Sequence, residues 1–170
     1  YRNCAARGAP GYTAEELAFA DSRAGTYPGS DRVPGVGSQY DMDYAADAQA
    51  KRAQAGHAMN GFLLPLYQGD AFQPGSTDVG DVSWQCPTAQ IHVATWPNGC
   101  PGHSWQNVSC GRTDIGHKGA VHAGKVLAAA AIDLLTDPAL LEEAKAEFRR
   151  RTAAGYTCPI PADAVPTIAD

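Results

Sequence analysis

With 170 residues, the chain is long enough for one domain with a sizeable core. Hydrophobic residues make up 44% and the formal net charge is −5, a balance that fits a soluble globular chain and does not favour nucleic acid as a partner. The best candidate for a membrane span, Val126 to Leu135, is short and carries Asp133, so no membrane association is expected.

The chain starts at Tyr1 rather than Met, which points to processing, trimming or a piece of something longer. Its five cysteines (Cys4, Cys86, Cys100, Cys110 and Cys158) are odd in number and form no Cys-x-x-Cys pair. That argues against a disulfide framework and toward a reducing, cytoplasmic setting.

In chain order, the first strong signal is a helix N-terminus. Thr13 followed by Glu16 three residues on matches a capping box, with Leu17, Phe19 and Ala20 for apolar contact and Gly25 as the stop. Residues 26–38 hold Pro28, Gly29, Pro34, Gly35 and Gly37 and read as a loop. An Ala-rich helix is expected from about Asp41 to Ala55, ending at Gly56.

Residues 61–67 read as a short buried segment that Pro65 restricts to an edge strand or irregular backbone. Gly69 to Gly80 reads as a loop. Thr88 to Trp96 alternates like a strand, with Ala89, Ile91, Val93 and Thr95 on one face and Gln90, His92 and Ala94 on the other. The turn Pro97-Asn98-Gly99-Cys100-Pro101-Gly102 then delivers His103 on backbone stiffened by two prolines.

Two helices are expected next. One runs from about Gly116 to Thr136, capped by Thr113 or Asp114, with Val121, Ala128, Ile132 and Leu135 on one face. Gly119, Ala120, Ala123 and Gly124 make its start slim, so something can pack very close. The other has Asp137 as N-cap and Pro138 at the first helical position, a stripe of Leu141, Ala144 and Phe148, and a Glu147–Arg151 pair one turn apart. The proline-rich tail from Tyr156 reads as extended. A strand, a loop and helices suggest a layered α/β arrangement, yet one visible strand is too few for a three-layer domain. Part of the sheet is therefore expected outside this chain.

Three groups of residues can carry chemistry. The five histidines are His57, His92, His103, His117 and His122; the last two are five apart, off the spacing that puts two ligands on one helical face. Cys100, His103, His92 and Cys110 have the ligand types of a zinc site, although their spacing is that of no zinc ribbon or finger. In the run from Gly75 to Asp81, the residues Ser76, Thr77 and Asp78 either meet a ligand or merely cap a turn.

Several stretches in the same order resemble the family of p-aminobenzoyl-glutamate hydrolase B subunits. They are Gly-Ser-Thr-Asp-Val-Gly-Asp-Val-Ser-Trp (75–84), Pro-Gly-His-Ser-Trp-Gln (101–106), Gly-Arg-Thr-Asp-Ile-Gly-His-Lys-Gly (111–119) and Tyr-Thr-Cys-Pro-Ile-Pro (156–161). The opening run from Gly8 to Ala20 has a counterpart too, and the likeness is weakest over 26–60.

The resemblance implies the C-terminal third of a two-metal amidohydrolase. It implies a three-layer αβα catalytic domain, with 1–170 as one segment of it, 26–60 a variable insertion and 61–170 the core segment. The N-terminal half and the dimerisation domain would lie elsewhere, along with most metal ligands and the general base. By position His103 would be a ligand to a divalent metal, Mn or Zn. Ser76, Thr77, Asp78 and Trp105 would border the pocket of a small acyl-amino acid. No catalytic residue is expected in this chain. The implied partners are the N-terminal half of the same enzyme and a second subunit, and the chain alone is expected to be inactive. The alternative is a non-catalytic module that binds a ligand or partner.

Overall fold

The computed structural model describes residues 1–34, 42–66 and 77–165. Among the described residues the secondary structure is helical: α1 (Arg2–Arg7), α2 (Ala14–Ala24), α3 (Met42–Ala55), α4 (Val79–Ser83), α5 (Trp105–Gly111), α6 (Asp114–Thr136) and α7 (Pro138–Arg151). Two compact units form, one of Tyr1–Pro74 with Ile91–Ile132, the other of Gly75–Gln90 with Asp133–Asp170.

In the first unit, α2 begins as its sequence dictates. The Thr13 hydroxyl accepts the Glu16 amide at 3.2 Å, and the Glu16 carboxylate accepts the Thr13 amide at 2.7 Å. Each bond satisfies an amide that the first helical turn leaves without a partner. Gly25 closes the helix. Helix α3 ends before Gly56, whose φ of +71° favours a residue without Cβ. Helix α1 has no counterpart in the sequence reading, since six residues carry too little periodicity to register.

The core of this unit is small. Ala20, Met59 and Ile115 are fully buried, with Tyr12, Leu17, Phe19 and Ala94 packed around them. Burying Met59 and Ile115 stabilises the fold by about 1.5–3 kcal/mol each. A second cluster joins Ala24, Tyr27 and Ala58, with Cys100 against it.

Helix α6 departs from its expected orientation. Its buried residues include Ile115, Gly119, Val126 and Ala129. The predicted inward stripe faces out instead: Val121, Ile132 and Leu135 are exposed, and so is Ala128. Apolar residues lie on both sides of this helix, so periodicity could not choose between them. The slim start does meet close packing at Gly119, where an added Cβ would lie 2.6 Å from Thr95 Cγ2 and 2.7 Å from the Ala94 carbonyl oxygen. The neighbour there is this chain's own segment. The Thr113 hydroxyl is spent on the Cys110 carbonyl at 2.7 Å. By length and composition alone α6 is long and apolar enough to cross a membrane, a test that the core helix of a soluble protein also passes.

The strand expected at Thr88–Trp96 does not form. The segment is extended, but among the described residues there is no strand and no hydrogen bond donated by the amides of 88–95. Alternation reports which way side chains point; a strand also needs a neighbouring strand to bond with. Residues 61–66 are irregular, in line with Pro65, and Tyr67 lies outside the described residues.

The second unit contains α7, capped as predicted. Asp137 Oδ1 accepts the amides of Ala139 and Leu140 at 3.0 and 3.2 Å. Glu147 pairs with Arg151 at 2.7 Å, and Leu141, Ala144 and Phe148 are half-buried. Tyr156 stacks on Trp84 with ring centroids 5.1 Å apart, and its hydroxyl donates to Asp81. That bond and the facing carboxylate push the Tyr156 pKa up.

Candidate functional site

The loop that carries His103 is fixed by one buried side chain, Asn98, only 6% exposed. Its Nδ2 donates to the carbonyls of Ser30 at 3.0 Å and Arg32 at 2.6 Å. Its Oδ1 accepts from Asn60 Nδ2 at 2.8 Å. Its backbone amide donates to Ala58 O at 2.8 Å, and its carbonyl accepts the Tyr27 hydroxyl at 2.9 Å. Burial raises the Tyr27 pKa to about 12, so this phenol stays protonated and donating. Every polar group of Asn98 is thus satisfied, and two separate stretches of chain, 27–32 and 58–60, converge on it.

Pro97 before it is fully buried. Gly99 after it has φ of +68°, and a Cβ there would fall 2.8 Å from the Gly29 carbonyl carbon and closer still to its oxygen. Glycine is required at this close approach on both counts.

His103 itself is an exposed histidine with φ of +54°, the one non-glycine residue in the left-handed region among those described. That conformation costs about 1–2 kcal/mol outside glycine and persists only where the surroundings enforce it. Here they do. Ser104 is the N-cap of α5: its hydroxyl accepts the Asn107 amide at 3.2 Å and donates back to Pro101 O at 2.7 Å. Gln106, also buried, ties α5 to Thr26 at 3.2 Å. The backbone of His103 is thereby held between an anchored turn and a capped helix, with the side chain exposed.

Trp105 follows it, 57% exposed, with the Arg23 guanidinium 5.4 Å from the ring centroid. The same guanidinium lies 4.9 Å over the Phe19 ring, so Trp105 joins a cation–π stack on α2.

The loop residues fall elsewhere. Thr77 and Asp78 belong to the second unit, whereas His103 and Trp105 belong to the first. Thr77 Oγ1 accepts the Val79 amide at 3.3 Å, and Asp78 is the N-cap residue of α4 with no side-chain capping bond. Thr77 therefore performs the turn-capping role that short hydroxyl residues often fill. Ser76 lies outside the described residues.

Against this geometry the chain has one informative relative. It is 35% identical over 167 residues to the B subunit of p-aminobenzoyl-glutamate hydrolase from Escherichia coli (strain K12), a match covering 94% of this chain. This chain is similar to that hydrolase subunit. It spans about a third of the relative's length, 34%. No protein-family model matches the chain. No solved structure matches it.

Compared with what a catalytic metal requires, the donors present here form an incomplete set. Among the described residues no group of three or more His, Cys, Asp or Glu side chains is placed to hold a metal ion. A catalytic metal takes about three protein ligands plus water, so His103 alone does not fit one. The zinc arrangement of Cys100, His103, Cys110 and His92 is not formed either. The spacing allowed it, but burial raises the thiol pKa of both Cys100 and Cys110, and all five cysteines are free thiols. His117 lies 3.6 Å from Asp114, a surface pair on one helical turn.

Sequence reasoning missed two features. Asn98 is the first; its only signal was an Asn-Gly pair next to Pro97. The second is the setting of His57, whose Nδ1 is buried with no hydrogen-bond partner among the described residues. His57 lines both an open cleft of about 410 Å³ that includes Asp21, Asp31 and Arg52, and a smaller one of about 210 Å³. Asp21 is already engaged there, accepting the Ala58 amide at 2.6 Å.

Proposed function

We propose that this chain is the His103-bearing part of a metal-dependent amidohydrolase. The reaction is hydrolysis of the amide in an N-acyl or N-aroyl amino acid resembling p-aminobenzoyl-glutamate. The observation that carries the reading is the identity to the hydrolase subunit over nearly the whole chain, with His103 held in a costly backbone conformation by a built loop. Strain kept at one exposed imidazole is a mark of a residue with a task.

In this reading His103 supplies one ligand to a divalent metal, Mn or Zn, through a neutral imidazole. The other ligands and the general base come from the N-terminal half of the enzyme, which completes the three-layer αβα domain around 61–170. No step is assigned to the metal on this chain, because its own donors are too few. Trp105 gives the pocket an apolar wall. Ser76, Thr77 and Asp78 are assigned to contact with the substrate carboxylate in the complete enzyme. The enzyme works in the cytoplasm. The chain alone has little or no activity.

The test is to reunite the chain with the N-terminal half and compare it with His103→Ala. The expected result is loss of bound metal and of p-aminobenzoyl-glutamate cleavage. Unchanged metal content and turnover would refute the role of His103. A second reading, a non-catalytic module for a ligand or partner, draws on the absence of a convergent donor set among the described residues. Metal-dependent cleavage of an aroyl-glutamate by the isolated chain would eliminate it.

A further inference from the structure

Arg23 is a cation with two aromatic neighbours and no anion. It lies in the last turn of α2, where a positive charge suits the helix dipole. The dipole accounts for the charge but not for the rings around it. The guanidinium sits 4.9 Å over the Phe19 ring and 5.4 Å from the Trp105 centroid, so side chains from α2 and α5 hold it together. None of the ion pairs among the described residues includes it. The positions one helical turn back, Phe19 and Ala20, carry no carboxylate. Asp21, close by in sequence, is engaged by the Ala58 amide.

The shape of the group decides what remains for a ligand. A guanidinium is flat, with its N–H groups around the edge and none on its faces. Stacking on rings uses the faces. Along the edge, Nε donates to Ser22 Oγ at 3.3 Å. The terminal nitrogens Nη1 and Nη2 then offer a fork that matches the two oxygens of a carboxylate. Arg23 is half-buried, so such a pair is less weakened by water than one on an open surface. The two rings also restrict the side chain beforehand, which lowers the entropy lost on binding.

Its place in the chain ties this fork to the candidate site. Trp105 is two residues beyond His103, which limits their backbone separation to about 7 Å. The Trp105 ring is 57% exposed, so surface remains beside the guanidinium for another aromatic group. A ligand with an aromatic ring and a carboxylate satisfies both side chains.

We infer that Arg23 is a substrate-recognition residue whose terminal N–H pair binds a carboxylate of an N-aroyl amino acid, with Trp105 against the aroyl ring. Phe19 is the positioning residue that holds the guanidinium in place. The substrate class rests on the proposed function, whereas the preference for a carboxylate rests on Arg23 itself. An acyl-glutamate carries a carboxylate on its side chain as well as at its end, so the contact assigned to Ser76, Thr77 and Asp78 is not displaced.

The experiment titrates the full nitrogen-15-labelled chain, in buffer with EDTA, with N-benzoylglycine and with N-benzoylglycinamide, which lacks the negative charge. Magnetic resonance of Arg23 Nε and Trp105 Nε1 reports binding at the two side chains. The acid should give saturable shifts at both, and the amide should bind at least about tenfold more weakly. Arg23→Met should lose as much for the acid, with unchanged circular dichroism. Arg23→Lys, which keeps the charge but not the fork, should lose about threefold or more. If Arg23→Met does not fold, the comparison of acid with amide on the parent chain decides alone.

Four results would overturn the inference: no saturable shift with the acid, equal affinity for the amide, unchanged affinity in Arg23→Met, or displacement of the acid by an equal concentration of inorganic phosphate. The last would make Arg23 a general anion site. Binding should survive EDTA and His103→Ala, since neither touches Arg23. Binding without any cleavage by the metal-loaded enzyme, once reunited with its N-terminal half, would leave Arg23 standing and refute the proposed function. Cleavage with KM unchanged in Arg23→Met would keep that function and remove Arg23 from it.

Discussion

Replacing Asn98 by Ala tests whether one side chain holds the His103 loop. The change deletes three hydrogen bonds: to Ser30 O, to Arg32 O and from Asn60 Nδ2. Each buried bond lost with its partner left behind costs roughly 1 kcal/mol, more where water cannot reach the orphan. Arg32 is exposed, so water can take over its carbonyl, and the sum is about 3 kcal/mol. The bonds of the Asn98 backbone to Ala58 and Tyr27 remain, so the loop loosens without detaching. Against a typical domain stability of about 5–15 kcal/mol this is a large fraction. Urea unfolding followed by circular dichroism measures the loss, and hydrogen exchange at 98–103 reports the loosening. A cost below about 1 kcal/mol with unchanged exchange would show that the loop is held by something else. Asn98→Asp adds a sign test. It keeps the size but aims a carboxylate at two carbonyls, which raises its folded pKa above the unfolded value of about 3.9. Its stability relative to the parent chain should therefore be best in acid and fall as pH rises through that range.

Gly99→Ala should destabilise by about 3 kcal/mol or more, while Gly56→Ala, with similar φ but open space around it, should cost only the backbone term of about 1 kcal/mol; equal losses in urea titration would remove the close contact with Gly29 as the cause. Glu16 has its pKa lowered first by the hydrogen bond from Lys118 and then by the Thr13 amide. The stability it contributes is present above the ordinary glutamate range and lost as pH falls through the lower folded value, so Lys118→Met should flatten that acid limb; an identical pH–stability curve would contradict it. His103→Gly should leave stability unchanged or raise it by up to about 1 kcal/mol, because glycine relieves the positive φ. A loss above about 1 kcal/mol in the same titration would mean that the imidazole has a structural role.

Local chemistry made much of the fold readable. The Thr13–Glu16 box, the Asp137–Pro138 start and the Glu147–Arg151 pair depend on residues within one turn, and each forms as its spacing implies. What failed depended on partners far away. Strand alternation at 88–96 could not disclose that no described residue pairs with it, and the α6 row could not disclose which side its own chain covers. In the candidate site, the stiff turn before His103 was legible from its prolines and glycines. Asn98 was not, because an asparagine in a turn looks the same whether its amide meets water or two distant segments. Thr77 took the local option, a bond to Val79, that its residue type always leaves open.

The bonds around Asn98 span 38 residues to Asn60, 66 to Arg32, 68 to Ser30 and 71 to Tyr27. Contacts this distant in sequence form only after long loops have closed, which is slow compared with the helices they join. The capped helices can thus gather before the turn at 97–102 is pinned. On that order Asn98→Ala should speed unfolding far more than it slows refolding.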